Sequence, residues 1–105
     1  MIRIAVLYPH SEGKKFDAVY YRETHFDLVK EKLKPLGLQG LEFDQGSQQA
    51  GPQPFAAIGY LLFESLAAFQ AAFAQVGAEL MADIPNFTDI EPLVQVSEHQ
   101  RFTLG

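Results

Sequence analysis

Tyr21 and His25 stand four residues apart in FDAVYYRETHFDLVKEKL, residues 16–33. On a helix that spacing makes their side chains neighbours. A neutral imidazole has one donor and one acceptor nitrogen and exchanges protons near neutral pH. Facing a cleft between helix and sheet, His25 could act as general base or acid, with Tyr21 orienting a substrate or stabilising an oxyanion that develops on it. Tyr20 points about 100° away from Tyr21, toward the flank. The same spacing also fits a core histidine satisfied by a backbone carbonyl or a tyrosine, because a buried imidazole without a partner is costly. Asp83 bears on that choice. It follows a long helical seam whose carboxy end is negative, where an anion is disfavoured by roughly 0.3–1 kcal/mol. A carboxylate there either fixes a histidine tautomer or is a solvated turn residue or cap.

Other chemistries lack their residues. His10, His25 and His99 fall in separate elements without metal-ligand spacing, so no metal is expected. Gly37 and Gly40 follow a helix instead of opening one, which removes the dinucleotide fingerprint. No strand–turn–helix elbow carries a nucleophilic serine. There is no cysteine, hence no disulfide and no thiolate. Acid–base chemistry without a cofactor remains.

The elements that must position these residues are read from periodicity. IRIAVLY, 2–8, is a strand by residue type. A helix over about 17–34 is capped by Asp17 and ended by Pro35 and Gly37. Around its wheel Ala18, Tyr21, Phe26, Leu28, Val29, Leu33 and Leu36 share one sector, with His25 near its centre. LQGLEFDQG, 38–46, is a second strand, and the turn-rich 46–54 joins it to a third, FAAIGYLLFE, 55–64. Ser65 caps a second helix whose Leu66, Phe69, Phe73, Val76 and Leu80 recur at steps of three and four. DIPNFTDIEP, 83–92, is irregular, and LVQVSE, 93–98, is a fourth strand. The order βαββαβ predicts an α+β, ferredoxin-like domain over residues 1–105: a four-stranded antiparallel sheet in the order 4-1-3-2 with both helices on one face.

In that topology strands 1 and 3 are central and apolar on both faces, whereas two helices cover only one. A second copy of the sheet is the simplest cover, so the chain reads as an obligate homodimer. The net charge of −5 argues against nucleic acid as a partner. No run approaches the ~20 apolar residues of a membrane span, and nothing resembles a signal peptide. A cytoplasmic protein is the expectation.

FDAVYYRETH resembles the F-D-x-x-Y-Y-x-x-x-H motif of the EthD family, within the dimeric α/β-barrel superfamily. SLAAFQAAFAQVGAELMADIPNFTDIEPLVQVSE is similar to that family's second helix, acid-containing loop and last strand, and the likeness spans residues 2–98. Where the family often has H-x-P-L, this chain has His25-Phe26-Asp27-Leu28, which implies a more regular helix beyond His25. The resemblance implies His25 as the motif histidine, Tyr20 and Tyr21 as its tyrosine pair and Asp83 as the acidic residue after the second helix. They would surround a site between helices and sheet, opposite the dimer barrel, with His25, Asp83 and Tyr21 catalytic and Tyr20 and Phe87 against the substrate. Similar proteins isomerise lactones or cyclise and dehydrate aromatic polyketides without a bound cofactor. The family takes its name from an accessory protein of ether degradation, and superfamily relatives include cofactor-free and haem-degrading monooxygenases. The expected activity is cofactor-free proton transfer on a hydrophobic or aromatic carbonyl compound. The alternatives are a ligand carrier or accessory protein using the same pocket, and cofactor-free oxygenation.

Overall fold

The computed structural model describes residues 1–105. Its elements are β1 (Ile2–Pro9), α1 (Ala18–Tyr20), a π-helical turn (Tyr21–His25), α2 (Phe26–Leu33), a 3-10 turn (Lys34–Leu36) and β2 (Gly40–Gln45). There follow β3 (Phe55–Phe63), α3 (Leu66–Asp83), a second 3-10 turn (Ile84–Asn86) and β4 (Leu93–Glu98). The strands form one antiparallel sheet in the order β2-β3-β1-β4, the ferredoxin-like α+β arrangement expected from the order of elements. The two most apolar strands, β1 and β3, pair with each other at its centre, where side chains on both faces have neighbours.

Local signals set the helix ends. The Asp17 carboxylate accepts from the Tyr20 N–H at 3.1 Å, and the Ser65 hydroxyl accepts from the Ala68 N–H at 3.1 Å. Pro35 sits in the 3-10 turn and Gly37 closes it at φ 109°, a left-handed conformation that suits glycine. On the covered face of the sheet Ile4, Leu61 and Phe63 meet Val29 and Leu33 of α2 and Ala72 and Leu80 of α3. A second, aromatic cluster holds Tyr8, Tyr21, Ala57, Phe87 and Ile90. The opposite face presents Ala5, Leu7, Ile58, Tyr60 and Leu62, with Arg3 lying 3.8 Å over the Tyr60 ring. Neither core includes these residues.

The first helix departs from the continuous α-helix expected at 17–34. Across Tyr21–His25 it widens to a π turn, with the Phe26 N–H bonded to the Tyr21 carbonyl five residues back. The buried residues of this helix are Tyr21, His25, Val29 and Leu33, each four after the last. Four residues of α-helix overshoot one turn by about 40°, so three such steps would swing Leu33 about 120° from Tyr21. The wider turn takes back part of that drift, and all four side chains face the sheet. Beyond His25 the helix is regular to Leu33, as the absence of a proline implies.

The chain after α3 returns to the start of the first helix. The Asp17 N–H donates to the Phe87 carbonyl at 2.8 Å, and Phe16 and Thr88 form an antiparallel bridge. Thr88 Oγ1 donates to the Lys15 carbonyl at 2.6 Å and the Lys15 N–H donates to Asp89 Oδ1 at 2.8 Å. This clasp holds the carboxy end of α3 against the π turn.

Gly77 lies in the middle of α3 under the Phe73 ring, where a Cβ would stand 2.5–2.9 Å from three ring atoms. Glycine in a helix interior normally costs about 1 kcal/mol relative to alanine. At this position Gly77→Ala should bring no such gain in urea unfolding, and a structure of the variant should show the ring displaced. A variant more stable by ~1 kcal/mol would mean that the ring yields without cost.

Candidate functional site

The π turn and the end of α3 bring the expected pair together. His25 is 6% exposed, and its Nδ1 lies 2.9 Å from Asp83 Oδ2. An ionised carboxylate only accepts, so Nδ1 carries the proton and donates it. The second carboxylate oxygen, Oδ1, accepts from the Tyr20 hydroxyl at 2.8 Å and from Asn86 Nδ2 at 3.0 Å. Asp83 is thus neither a solvated turn residue nor a cap. Its three side-chain donors offset the unfavourable charge of the helix end on which it sits.

The ionisation states follow from these contacts. Burial pushes the His25 imidazole below its ordinary 6.5, by more than the Asp83 carboxylate raises it. Burial works the other way on Asp83, but the bonds from His25, Asn86 and Tyr20 together outweigh it and hold the carboxyl below its ordinary 3.8. At neutral pH the pair is therefore a neutral imidazole beside a carboxylate. Nδ1 is committed to Asp83, and Nε2 is left as an unbonded acceptor on a side chain that lines a cavity.

That cavity lies between the sheet and the two helical segments. Its volume is about 60 Å³, well below the roughly 300–1,000 Å³ of pockets that enclose a drug-sized ligand. Val6 and Leu61 of the sheet, Val29 of α2 and Leu80 of α3 make it apolar, and the polar tips within it belong to His25, Tyr21 and Tyr8, with Tyr60 at its border. Phe73 and Met81 of α3 also line it, and Met81 is 52% exposed.

Tyr20 and Phe87, expected against a ligand, do not line the cavity. Tyr20 turns its hydroxyl to Asp83 instead. Phe87 is fully buried behind the histidine, with its ring 4.8 Å from that of His25 and 4.9 Å from that of Tyr21. Tyr21 stacks on His25 at 5.5 Å with the planes 13° apart. Two positions escaped the sequence reading. Tyr8 lies on the covered face of β1 and reaches the cavity, and Gly59 opposite Val6 on β3 leaves room for the Tyr21 hydroxyl, which a Cβ there would overlap. A tyrosine at an inward position of an otherwise aliphatic strand and a glycine inside a β-run were the available signals. No group of three or more metal-ligating side chains comes together, and no helix is long and apolar enough to cross a membrane.

The family model described as EthD domain matches residues 11–91. No curated protein matches the chain. Among solved structures, an EthD-like protein from Ralstonia eutropha JMP134 is 36% identical, with a TM-score of 0.82 over 92% of this chain and 89% of that one. An EthD family protein from Bacillus halodurans C-125 is 20% identical, with a TM-score of 0.72 over 95% of this chain and 99% of that one. The fold is also that of SnoaB, a cofactor-independent oxygenase from Streptomyces nogalater, which is 9% identical with a TM-score of 0.69 over 99% of this chain and 96% of that one.

The depressed values at His25 and Asp83 set the direction of acid sensitivity. Between the folded and unfolded values of His25 the unfolded chain binds a proton that the folded chain does not, so stability falls as pH drops below 6.5. The limiting slope is about 1.4 kcal/mol per pH unit for one proton. Asp83 adds a second loss as pH falls below 3.8 and through its folded value. Urea titrations across pH should show both steps, and His25→Gln should abolish the first. A wild-type curve flat from pH 7 to 5 would contradict the burial of a neutral imidazole.

Proposed function

The chain belongs to the EthD domain family, and on that premise we propose that it is a cofactor-independent acid–base enzyme acting on an enolisable, hydrophobic carbonyl compound. The observation that carries the reading is the Nδ1 bond from His25 to Asp83 at 2.9 Å, which leaves Nε2 free on the cavity side chain. Nε2 takes a proton from the carbon next to the carbonyl. The C–H electron pair becomes the new carbon–carbon double bond, and the carbonyl π pair moves to oxygen as an enolate. Asp83 stabilises the imidazolium so formed and keeps the ring in one tautomer, the part a carboxylate plays beside any catalytic histidine. Tyr21 donates to the oxygen. Where the substrate carries a β,γ double bond the enolate is a dienolate. The proton then returns from Nε2 to the γ carbon, the double bond ends between the α and β carbons, and the oxygen pair re-forms the carbonyl. The net change is an isomerisation that restores the base. Tyr20 and Asn86 are positioning residues that act through Asp83.

The apolar lining of the cavity favours a substrate whose body is hydrocarbon and whose one polar atom is the reacting oxygen. Its small volume calls for a compact substrate or for displacement of Phe73 and Met81. The protein works in this reading as a cytoplasmic homodimer, joined through the face that carries Leu7, Ile58, Tyr60 and Leu62. An interface of that kind buries well over ~1,000 Å². Sedimentation equilibrium at micromolar concentration should give twice the chain mass, and a monomer there would remove the dimer from the proposal.

The reaction is tested by the exchange of α-hydrogens for deuterium in a panel of small enolisable ketones, followed by NMR in D2O. His25→Gln should slow exchange by ~10²–10⁴ while changing stability by only about 1 kcal/mol, since the amide can keep the bond to Asp83. The wild-type rate should rise with pH through a midpoint below 6.5 and then level off, because burial holds the base below that value. An unchanged rate in a folded His25→Gln protein would leave a ligand carrier as the better description.

A further inference from the structure

Tyr8 has no part in the motif around His25, yet it reaches the same cavity. It is 1% exposed and Tyr21 is 2% exposed. Their rings meet edge to face with centroids 5.5 Å apart. Phe16 and Phe87 back the Tyr8 ring at 5.2 and 5.7 Å, so the phenol cannot swing out to water. On the neighbouring strand Tyr8 stands opposite Ala57, and the next inward position is Gly59. A Cβ on Gly59 would overlap Tyr21 Oη and lie 3.4 Å from Cζ. The Tyr21 hydroxyl therefore rests on the backbone of β3, beside the strand that carries Tyr8.

The other buried polar side chains near the site have fixed partners. His25 holds Asp83, and Thr88 bonds to Lys15 and Ile90. Tyr20 is spent on Asp83. The Tyr8 and Tyr21 hydroxyls are left with each other, close enough that each influences the ionisation of the other. A phenol oxygen both donates and accepts, so a bond between the two hydroxyls uses the O–H of one and leaves the O–H of the other without an acceptor in the apolar cavity.

We propose that Tyr8 and Tyr21 together form a two-donor site for one substrate oxygen, which makes Tyr8 a second oxyanion-stabilising residue. An incoming oxygen that develops negative charge takes both O–H groups at once, replacing one neutral contact by two charge-assisted bonds. Because burial raises both phenols above their ordinary 10.0, both remain donors throughout the range in which the histidine is a base. The class of ligand that fits is an enolate or phenolate: one anionic oxygen on an apolar body, with no second charge. The inference rests on the proposed proton transfer for the origin of that oxyanion, but the site can be probed without turnover.

The probe is 4-nitrophenolate, whose visible absorption reports the environment of its oxygen. The wild-type protein should bind it, and Tyr8→Phe and Tyr21→Phe should each weaken binding about ten- to a hundred-fold, as loss of a bond to a charged group does. His25→Gln removes the base and keeps both phenols, so it separates the two readings: probe binding persists there while ketone exchange is lost. Equal affinity in wild type and a folded Tyr8→Phe protein would overturn the role of Tyr8, and weakened binding in Tyr21→Phe alone would reduce the site to one donor. Failure of the wild-type protein to bind the probe would overturn the two-donor site, while ketone exchange would still judge the base. If Tyr8→Phe fails to fold, Tyr8→3-fluorotyrosine keeps the ring and makes a stronger donor. Affinity should then rise, and an unchanged value would overturn the proposal.

Discussion

A carboxylate at the carboxy end of a helix sits against the negative pole of that helix, and Asp83 is held there by donors from elsewhere in the chain. The Tyr20 and His25 side chains come from the first helix, and Asn86 comes from the turn that follows α3. Each of the three would be weaker alone, and together they hold the carboxyl ionised. The geometry of the site follows from this node. It fixes the histidine ring, decides which nitrogen bears the proton and ties the π turn to α3. The backbone clasp between residues 15–17 and 87–89 keeps the two ends in register, so that the node forms without straining either helix.

The sheet contributes by omission. Inward positions on a central strand normally carry β-branched or aromatic side chains, but β3 has Ala57 and Gly59 where β1 has Tyr8 and β2 has Phe43. The missing volume is taken up from the helix side by Tyr21, which touches the rings of Tyr8, Phe26, Phe43 and Phe87. What is left over is the cavity. Its polar atoms thus come from the two layers that face each other, His25 and Tyr21 from above and Tyr8 from below, and the rest of its wall is apolar.

Much of this was legible in the sequence because it obeys a period or a charge rule. The alternation and β-branching of 2–8 and 55–64 gave the central strands, the seam from Leu66 to Leu80 gave α3, and the order of elements gave the sheet. Asp83 stood out because an acid at a helix carboxy end needs an explanation, and His25 because an imidazole lay in an apolar sector. The remainder depends on contacts between elements distant in sequence. The π turn has no periodic signature shorter than the whole helix. Tyr20 was assigned to a ligand although its hydroxyl has the nearer partner in Asp83, 63 residues away. Phe87 is expected against the ligand from the family resemblance, whereas packing sets it behind the histidine. Tyr8 and Gly59 acquire meaning only once β1 and β3 are paired in register.

The extra residue in the π turn makes this site sensitive to chain length in a way that it is not sensitive to residue identity. Arg22, Glu23 and Thr24 all face solvent, and a change of side chain at any of them touches little. Removing one of them would let the turn close as α-helix, with four residues covering the arc that five cover now, so Phe26 and all that follows would keep nearly the present orientation relative to Tyr21. Val29 and Leu33 would stay in the core, and the local change would fall on His25, which would stand three residues after Tyr21. Adding a residue is a different event, because the turn is already widened and one more α-helical residue rotates everything after it by about 100°. Insertions among three freely substitutable surface positions are therefore the changes that this fold can least absorb.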